Sequence, residues 1–454
     1  MDPFGCAKNQ VDAEVMMSFL NKAGWASARN PESADIIIVN SCGFIESAKR
    51  ESIGAVLAWK KNYPEKKILL AGCLARRYAK ELSLSLPEAD GLFGGEDPAG
   101  IVEAAGKAAE GIKTEGAAFV RQAGGAAAPD AGLRPLLSLP GSAYVKISEG
   151  CNNRCSFCAI PLIRGGLKSR AVSDVLEECR ELLARGLREL CFIGQDLGSY
   201  GRDSGGAAAP ERAGTAAAAP DAGLPGLLEA LSALDGDFWV RLLYIHPDQF
   251  PLPILDIMER DKRLLPYFDI PFQHASEKIL GAMNRRGTAE TYLRLLELIR
   301  GRLPDAVIRS TFLLGFPGET EEDFSALLDF QEKARLDWLG CFTYSREEDT
   351  PAYSMKGRIS KKIAAERKRI VENRQIPITG KQMERFIGQT LDVLVEEAVD
   401  AEEGLYLGRL YCHAPEVDGA AVIRYGSGGS AEPGSFVKGR VLARTGFDLQ
   451  VVPG

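Results

Sequence analysis

Cys151, Cys155 and Cys158 lie within one short stretch, "KISEGCNNRCSFCAIP", with no fourth thiol or histidine beside them. A structural tetrahedral metal site takes four protein ligands. Three thiolates suit a [4Fe–4S] cluster whose fourth iron stays open. An open iron can chelate a cosubstrate that offers an amino and a carboxylate group, and S-adenosylmethionine offers both. One electron from the cluster then cleaves the sulfonium to a 5′-deoxyadenosyl radical, which removes hydrogen from unactivated carbon. The cofactors carry that chemistry and the protein orients them. The bland alternative is a zinc site completed by a distant fourth ligand. The stretch follows the apolar "YVKI", so its loop leaves the end of a strand, where a barrel places its chemistry, and this favours the cluster.

A second group of three, Cys6, Cys42 and Cys73, is spread more widely. Cys42 and Cys73 end the apolar runs "ADIIIVNSC" and "KKILLAGC", and each of the three precedes a helical pattern. In a parallel sheet all strand-to-helix loops share one edge, so residues far apart in sequence converge there. These thiolates either hold a second cluster, again with one iron free, or are three separate packing cysteines. Cys179, Cys191, Cys341 and Cys412 stand on apolar stretches and read as ordinary buried residues.

The elements that position both groups follow from the apolar patterning. At 454 residues the chain is long enough for roughly two to four domains. Residues 1–120 alternate buried strands with helical spacing, which predicts a parallel α/β domain. Residues 121–141, rich in Gly, Ala and Pro, read as a linker. From 142 to 375 the alternation resumes with strand candidates "SAYVKI", "LRELCFIG", "FWVRLLYI", "LPYFDI", "AVIRSTFLLG" and "WLGCFTYS". These units predict a complete or partial (β/α) barrel. An Ala-, Gly- and Pro-rich stretch, 203–225, reads as a disordered surface insertion without chemistry. After a charged helix, residues 378–454 break into short strands separated by Gly, Pro and Asp, which predicts a small β-barrel.

Hydrophobic residues make up 45% of the chain and charged ones 26%, the balance of a soluble globular protein. No apolar run approaches a membrane span, and "MDPFGCAKNQ" lacks the layout of a secretion signal, so a cytoplasmic location is expected. Ten cysteines in such a chain are not a disulfide framework. The net charge of −7 argues against an affinity built on a phosphate backbone and suits a basic protein as substrate. From Gly388 onward five positive side chains face ten negative ones, so the C-terminal barrel is acidic.

The whole chain resembles methylthiotransferases of the radical S-adenosylmethionine superfamily, in which a three-cysteine N-terminal domain, a radical domain and a C-terminal TRAM barrel follow in this order. Within that family, "GCAKNQVDAE", "EGCNNRCSFCAIPLIRGGLKSR" and "HAPEVDGAAVI" are similar to the branch that modifies a ribosomal protein. "FDIPFQHASEKILGAMNRRGT" and "RSTFLLGFPGETEEDF" are similar across the wider family. The resemblance implies two [4Fe–4S] clusters. Cys6, Cys42 and Cys73 would hold the auxiliary one tied to sulfur insertion, and Cys151, Cys155 and Cys158 the radical one that binds S-adenosylmethionine. It further implies methylthio insertion at the β-carbon of an aspartate in small-subunit ribosomal protein twelve, and an electron donor of flavodoxin or ferredoxin type. The family carries an apolar strand before its first cysteine, where only "MDPFG" stands here, so a shortened or missing first strand is expected. Loss of a central strand there would expose hydrogen-bonding edges.

Other polar residues follow from strand ends. Gln195 and Asp196 end the second barrel strand, and Gln273 and His274 the fourth, so they are expected to face cosubstrate or substrate, although a hydrogen-bonded structural histidine is the commoner fate of a single His. Gly315 in "GFPGET" would let the backbone approach a ligand, or serve a tight turn. Arg164 and Arg170 would contact a carboxylate or phosphate, or remain solvated. The nearest rival activity is methylthio transfer to isopentenylated adenosine in transfer RNA, where a more basic barrel is expected. A rival of another class is a non-catalytic iron–sulfur sensor or electron carrier, which would yield no 5′-deoxyadenosine on reduction.

Overall fold

The computed structural model describes residues 1–112, 134–203, 223–426 and 429–454. Most of the expected linker (121–133) and of the expected insertion (204–222) therefore lies outside the described residues. Among the described residues no helix is long and apolar enough to cross a membrane.

The N-terminal unit is a parallel sheet in the order β1 (Asp2–Pro3), β2 (Ile36–Ser41), β3 (Lys67–Gly72), β4 (Gly91–Phe93). Its helices are α1 (Ala7–Lys22), α2 (Glu46–Asn62), α3 (Cys73–Arg77), α4 (Ala79–Ser85) and α5 (Ile101–Ala109). The near-continuous apolar runs of β2 and β3 are explained by burial on both faces. Ile37, Val39, Ile68 and Leu70 pack with Val56 of α2, and Ile38, Leu69 and Ala71 pack with Met16 and Leu20 of α1. The first strand is indeed short, two residues, but it occupies the sheet edge rather than its centre, pairing Pro3 with Asn40. A short edge strand leaves β2 and β3 paired with each other along their length.

The central unit begins with β5 (Ser142–Lys146), then β6 (Ser148–Glu149), α6 (Ile160–Arg164) and β7 (Lys168–Ser169); β6 and β7 form a small antiparallel pair that brackets Cys151, Cys155 and Cys158. It continues α7 (Val172–Ala184), β8 (Glu189–Ile193), α8 (Gly223–Ser232), β9 (Trp239–Leu242), α9 (Ile254–Arg260), β10 (Leu264–Asp269), α10 (Glu277–Ala282), α11 (Ala289–Arg302), β11 (Val307–Leu314), α12 (Glu321–Ala334), β12 (Trp338–Thr343) and α13 (Lys361–Glu384). Six parallel strands stand in the order β5-β8-β9-β10-β11-β12, open between β12 and β5, which is the partial (β/α) barrel that the sequence predicts. Alternate residues divide its two faces: Val145, Phe192, Leu242 and Phe268 meet the helices, while Tyr144, Cys191, Trp239 and Tyr267 point the other way.

That second face is covered by the C-terminal unit, a closed barrel of β13 (Thr390–Asp400), β14 (Leu405–Arg409), β15 (Ala421–Arg424), β16 (Phe436–Thr445) and β17 (Asp448–Pro453). The boundary expected at 375–378 falls inside α13, which runs unbroken to Glu384 past Pro377. "HAPEVDGA" is a docking element. Asp418 accepts from the Tyr267 hydroxyl at 2.5 Å and lies 3.4 Å from Arg309, and the Cys412 carbonyl accepts from the Trp338 indole at 2.8 Å. Cys179, Cys191, Cys341 and Cys412 are all buried. The last part of the expected linker is also packed, since fully buried Arg134 donates to the Tyr144 carbonyl at 3.0 Å and pairs with Glu178 at 3.1 Å.

Candidate active site

The parallel register of the N-terminal sheet explains how its distant cysteines meet. Ser41 pairs with Gly72, so Cys42 and Cys73 are the next residues along two adjacent strands. Cys6 caps the start of α1 directly after β1, on the same sheet edge. Gly43 permits the approach: a Cβ there would fall 2.7 Å from the Cys73 carbonyl oxygen and 2.9 Å from Leu74 Cα, both backbone atoms. Gly43→Ala should therefore force the two loops apart and destabilise the fold by about 1–3 kcal/mol, measurable as a lowered melting temperature. Asn9 ties the group together. Its amide donates to the Phe4 and Ser41 carbonyls at 3.0 Å each, and its Oδ1 accepts from Cys73 Sγ at 3.2 Å.

Cys151, Cys155 and Cys158 occupy the loop from β6 to α6. The Cys158 amide donates to the Cys155 carbonyl at 3.0 Å, and the Asn153 amide lies 3.5 Å from Cys151 Sγ. The Asn153 side chain donates to Asp196 Oδ2 at 2.7 Å and accepts from Gln249. His246 Nε2 stands 3.9 Å from Cys155 Sγ. Burial pushes the Cys151 thiol up to about 11 and the Cys158 thiol up to about 12, and it raises Cys155 as well. It likewise pushes Cys42 up to about 11 and raises Cys73. A metal that takes these groups as thiolates must displace their protons.

Among the described residues no three Cys, His, Asp or Glu side chains converge as ligands of a single ion, so the zinc alternative finds no ligand set there. An iron–sulfur cluster makes a different demand, because each thiolate meets its own iron and the ligands stand apart. Among the described residues each group offers three free thiols and no fourth protein ligand, a donor set that suits such a cluster.

Charged side chains join the two groups. Arg164, at the end of α6, is mostly shielded from solvent and donates to Cys73 Sγ at 2.9 Å, Asn9 Oδ1 at 2.7 Å, Asp12 Oδ2 at 2.6 Å and Glu149 Oε1 at 3.1 Å. Lys146 completes the knot, pairing with Asp12 at 2.5 Å and Glu149 at 2.6 Å. Burial alone would raise the Glu149 carboxyl, but Lys146 and Arg164 outweigh it and hold it at about 2. At the far side of the barrel opening, buried Glu347 pairs with Lys49 at 3.0 Å and with Arg77 at 2.7 Å. The N-terminal unit thus contacts both edges of the open barrel, at β5 and beyond β12.

The residues expected from strand ends have varied placements. Gln195 donates to Glu149 Oε1 at 3.1 Å, while its own Oε1 is buried and finds no partner among the described residues. Asp196 organises the loops, accepting from Asn153, Ser199, the Gly198 amide and the His246 amide. Gln273 has a φ of +70°, a left-handed conformation uncommon outside glycine, and its backbone bonds on both sides to β11. His274 is fully buried, accepts from the Ser276 amide at 3.0 Å and lies 3.7 Å from Glu319, the setting of a structural histidine. Gly315 serves a turn and a packing contact. Its amide donates to Glu319 at 2.8 Å, and a Cβ there would fall 2.4 Å from Ala364 Cβ of α13. Arg170 is no solvated charge, since it pairs with buried Glu178. Sequence reasoning missed Asn9, Asp12, Lys146, Glu149, Asn153 and His246. Their signal was position, since all but His246 lie in or within six residues of a cysteine motif.

Residues 1–94 match the family described as "Uncharacterized protein family UPF0004", residues 145–330 the "Radical SAM superfamily", and residues 387–452 the "TRAM domain". A protein of Treponema denticola named "Ribosomal protein uS12 methylthiotransferase RimO" is 47% identical, covering 100% of both chains. One of the same name from Syntrophomonas wolfei is 39% identical over 98% of this chain and 97% of its own. Among solved structures, the radical S-adenosylmethionine methyltransferase TsrM of Kitasatospora setae, with cobalamin and a [4Fe–4S] cluster bound, overlays with a TM-score of 0.53 at 14% identity. That overlay covers 75% of this chain and 70% of TsrM, and it shows a shared fold. The radical superfamily brings with it a [4Fe–4S] cluster and S-adenosylmethionine as cofactors. From its domain order and its full-length relatives, this chain belongs to the RimO family of radical S-adenosylmethionine methylthiotransferases.

Proposed function

We propose that the protein replaces a hydrogen on the β-carbon of an aspartate in ribosomal protein uS12 with a methylthio group, using two [4Fe–4S] clusters. Cys151, Cys155 and Cys158 would hold the cluster that binds S-adenosylmethionine, and Cys6, Cys42 and Cys73 the auxiliary cluster. The observation that carries this reading is Arg164, which leaves the first cysteine loop and donates to Cys73 of the other group. When bound, the cofactors supply one-electron cleavage, hydrogen abstraction and a sulfur for transfer.

The chain's own residues position and shield. Asp196 and Gln249 grip Asn153 and so set the shape of the loop that carries Cys151 and Cys155. Arg164, Asp12, Lys146 and Glu149 fix the separation of the two cysteine groups. The N-terminal unit contacts both edges of the barrel opening, and there it would keep water from the reacting carbon and so protect radical chemistry from side reactions. Gln195, Gln273 and Gly315 remain proposed as cofactor neighbours, with Asp196 and His274 acting through the loops they hold. An electron donor of flavodoxin or ferredoxin type and a cytoplasmic setting complete the reading.

The test is anaerobic reconstitution with iron and sulfide, followed by dithionite, S-adenosylmethionine and a uS12 peptide containing the target aspartate. A peptide mass increased by one methylthio group in place of hydrogen supports the reading. Methylthiolation of isopentenylated transfer RNA instead of the peptide would replace it with the rival activity, and absence of 5′-deoxyadenosine would exclude both.

A further inference from the structure

Lys8 lies in the first turn of α1, two residues after Cys6, and is 9% exposed. Its Nζ sits 3.3 Å from the centroid of the Tyr244 ring. Among the described residues no carboxylate stands within ion-pair distance of it. The nearby acids are already engaged: Asp12 and Glu149 pair with Lys146 and Arg164. An aromatic face attracts an ammonium but accepts none of its hydrogen bonds in the way a carboxylate does, so the charge stays largely uncompensated. A buried cation without an anion is costly unless something arrives to pair with it.

Its surroundings say where that anion would sit. Tyr244 follows β9 with a φ of +69°, a left-handed backbone that a bulky residue rarely adopts and that clusters at functional sites. The Tyr244 carbonyl accepts from the Leu197 amide at 2.9 Å, which anchors it to the loop after β8. Two residues on, His246 approaches Cys155. The Lys8–Tyr244 contact therefore connects the segment beside Cys6 to the segment beside Cys155, between the two cysteine groups.

We propose that Lys8 is the residue that recognises the side-chain carboxylate of the target aspartate. This rests on the function proposed above. The carboxylate of S-adenosylmethionine would be held at the cluster of Cys151, Cys155 and Cys158, and the thiolates of Cys6, Cys42 and Cys73 would be neutralised by their irons, so the anion assigned to Lys8 is the substrate's. A salt bridge from Lys8 holds the aspartate by the group adjacent to its β-carbon and so presents that carbon between the two cysteine groups. An uncharged base such as isopentenylated adenosine would leave Lys8 buried and unpaired, which discriminates against it.

The experiment compares two fluorescent peptides, one carrying the target aspartate and one with asparagine in its place, binding to the reconstituted full-length protein. Wild type should favour the aspartate peptide on the order of 30-fold or more, the usual consequence of removing one partner of a buried charge pair. Lys8→Met should bring the aspartate peptide down to the asparagine level, and Lys8→Arg should restore part of the preference. Iron content and thermal melting of each variant identify any that fail to fold or load. Equal weakening of both peptides by Lys8→Met, or an aspartate preference that survives it, would overturn the assignment while leaving the proposed function standing. If wild type binds and modifies neither peptide, the proposed function itself fails and Lys8 loses its substrate with it.

Discussion

Replacing Cys6 with alanine should halve the iron bound by the reconstituted protein, from about eight atoms to about four. The variant should still produce 5′-deoxyadenosine but add no methylthio group to the peptide. Cys155→Ala should lose both, because it would remove a ligand from the cluster proposed to bind the cosubstrate. The difference follows from where the residues sit. Cys6 is exposed at the start of α1 and contributes nothing to the apolar core, so its loss cannot be blamed on unfolding. Iron counting and product analysis on the same samples give the result directly. About four irons in both wild type and Cys6→Ala would mean that the N-terminal group holds no cluster, and sulfur insertion by this chain would have to be abandoned.

The second large effect is on stability. Glu189 opens β8 with 0% exposure and takes Arg241 of β9 at 2.8 Å through Oε1, while Arg409 of β14 reaches both of its oxygens. Arg409 also donates to Ser142 Oγ at 2.8 Å and to Glu396 at 2.6 Å. One carboxylate thus joins the central barrel to the C-terminal barrel. Glu189→Gln keeps the volume but leaves two buried guanidiniums short of an anion, and it should cost about 3–5 kcal/mol in denaturant-induced unfolding. The pH dependence has a definite sign. Burial would raise the Glu189 carboxyl, but Arg409 and Arg241 outweigh it and hold it at about 2, below its ordinary 4.5. Its contribution is therefore complete above pH 4.5 and is lost as pH falls from there through the folded value. Wild type should lose stability over that acid range more steeply than Glu189→Gln. Matching acid profiles would refute the pairing as a stabilising contact.

Much of this architecture is legible in the amino-acid sequence. The six barrel strands, the parallel N-terminal sheet and the closing β-barrel are written in the apolar runs, because burial on one or two faces sets the period of each element. The three-cysteine spacing was equally plain, since its residues share one loop. Cys42 and Cys73 could be placed on a common sheet edge from strand order alone.

What the sequence could not determine is which side chains meet across elements. Periodicity says that a residue is buried in its own strand or helix and is silent about what lies opposite. Arg164 read equally as a ligand contact or a solvated charge, and only the packing of α6 against α3 turned it onto Cys73. That His274 and Gly315 end strands was legible, but only the packing puts Glu319 beside His274 and Ala364 of α13 beside Gly315. Asp418 looked like a branch marker and proved to be an anchor for the barrel. Lys8 was one letter in a cysteine motif until Tyr244, distant in sequence, was found beneath its ammonium. The sequence by itself determined the elements, their order and the two sets of thiols, since these depend on local spacing. The tertiary structure alone decided how the sets face each other and which charges lie between them, because those contacts depend on how whole domains dock.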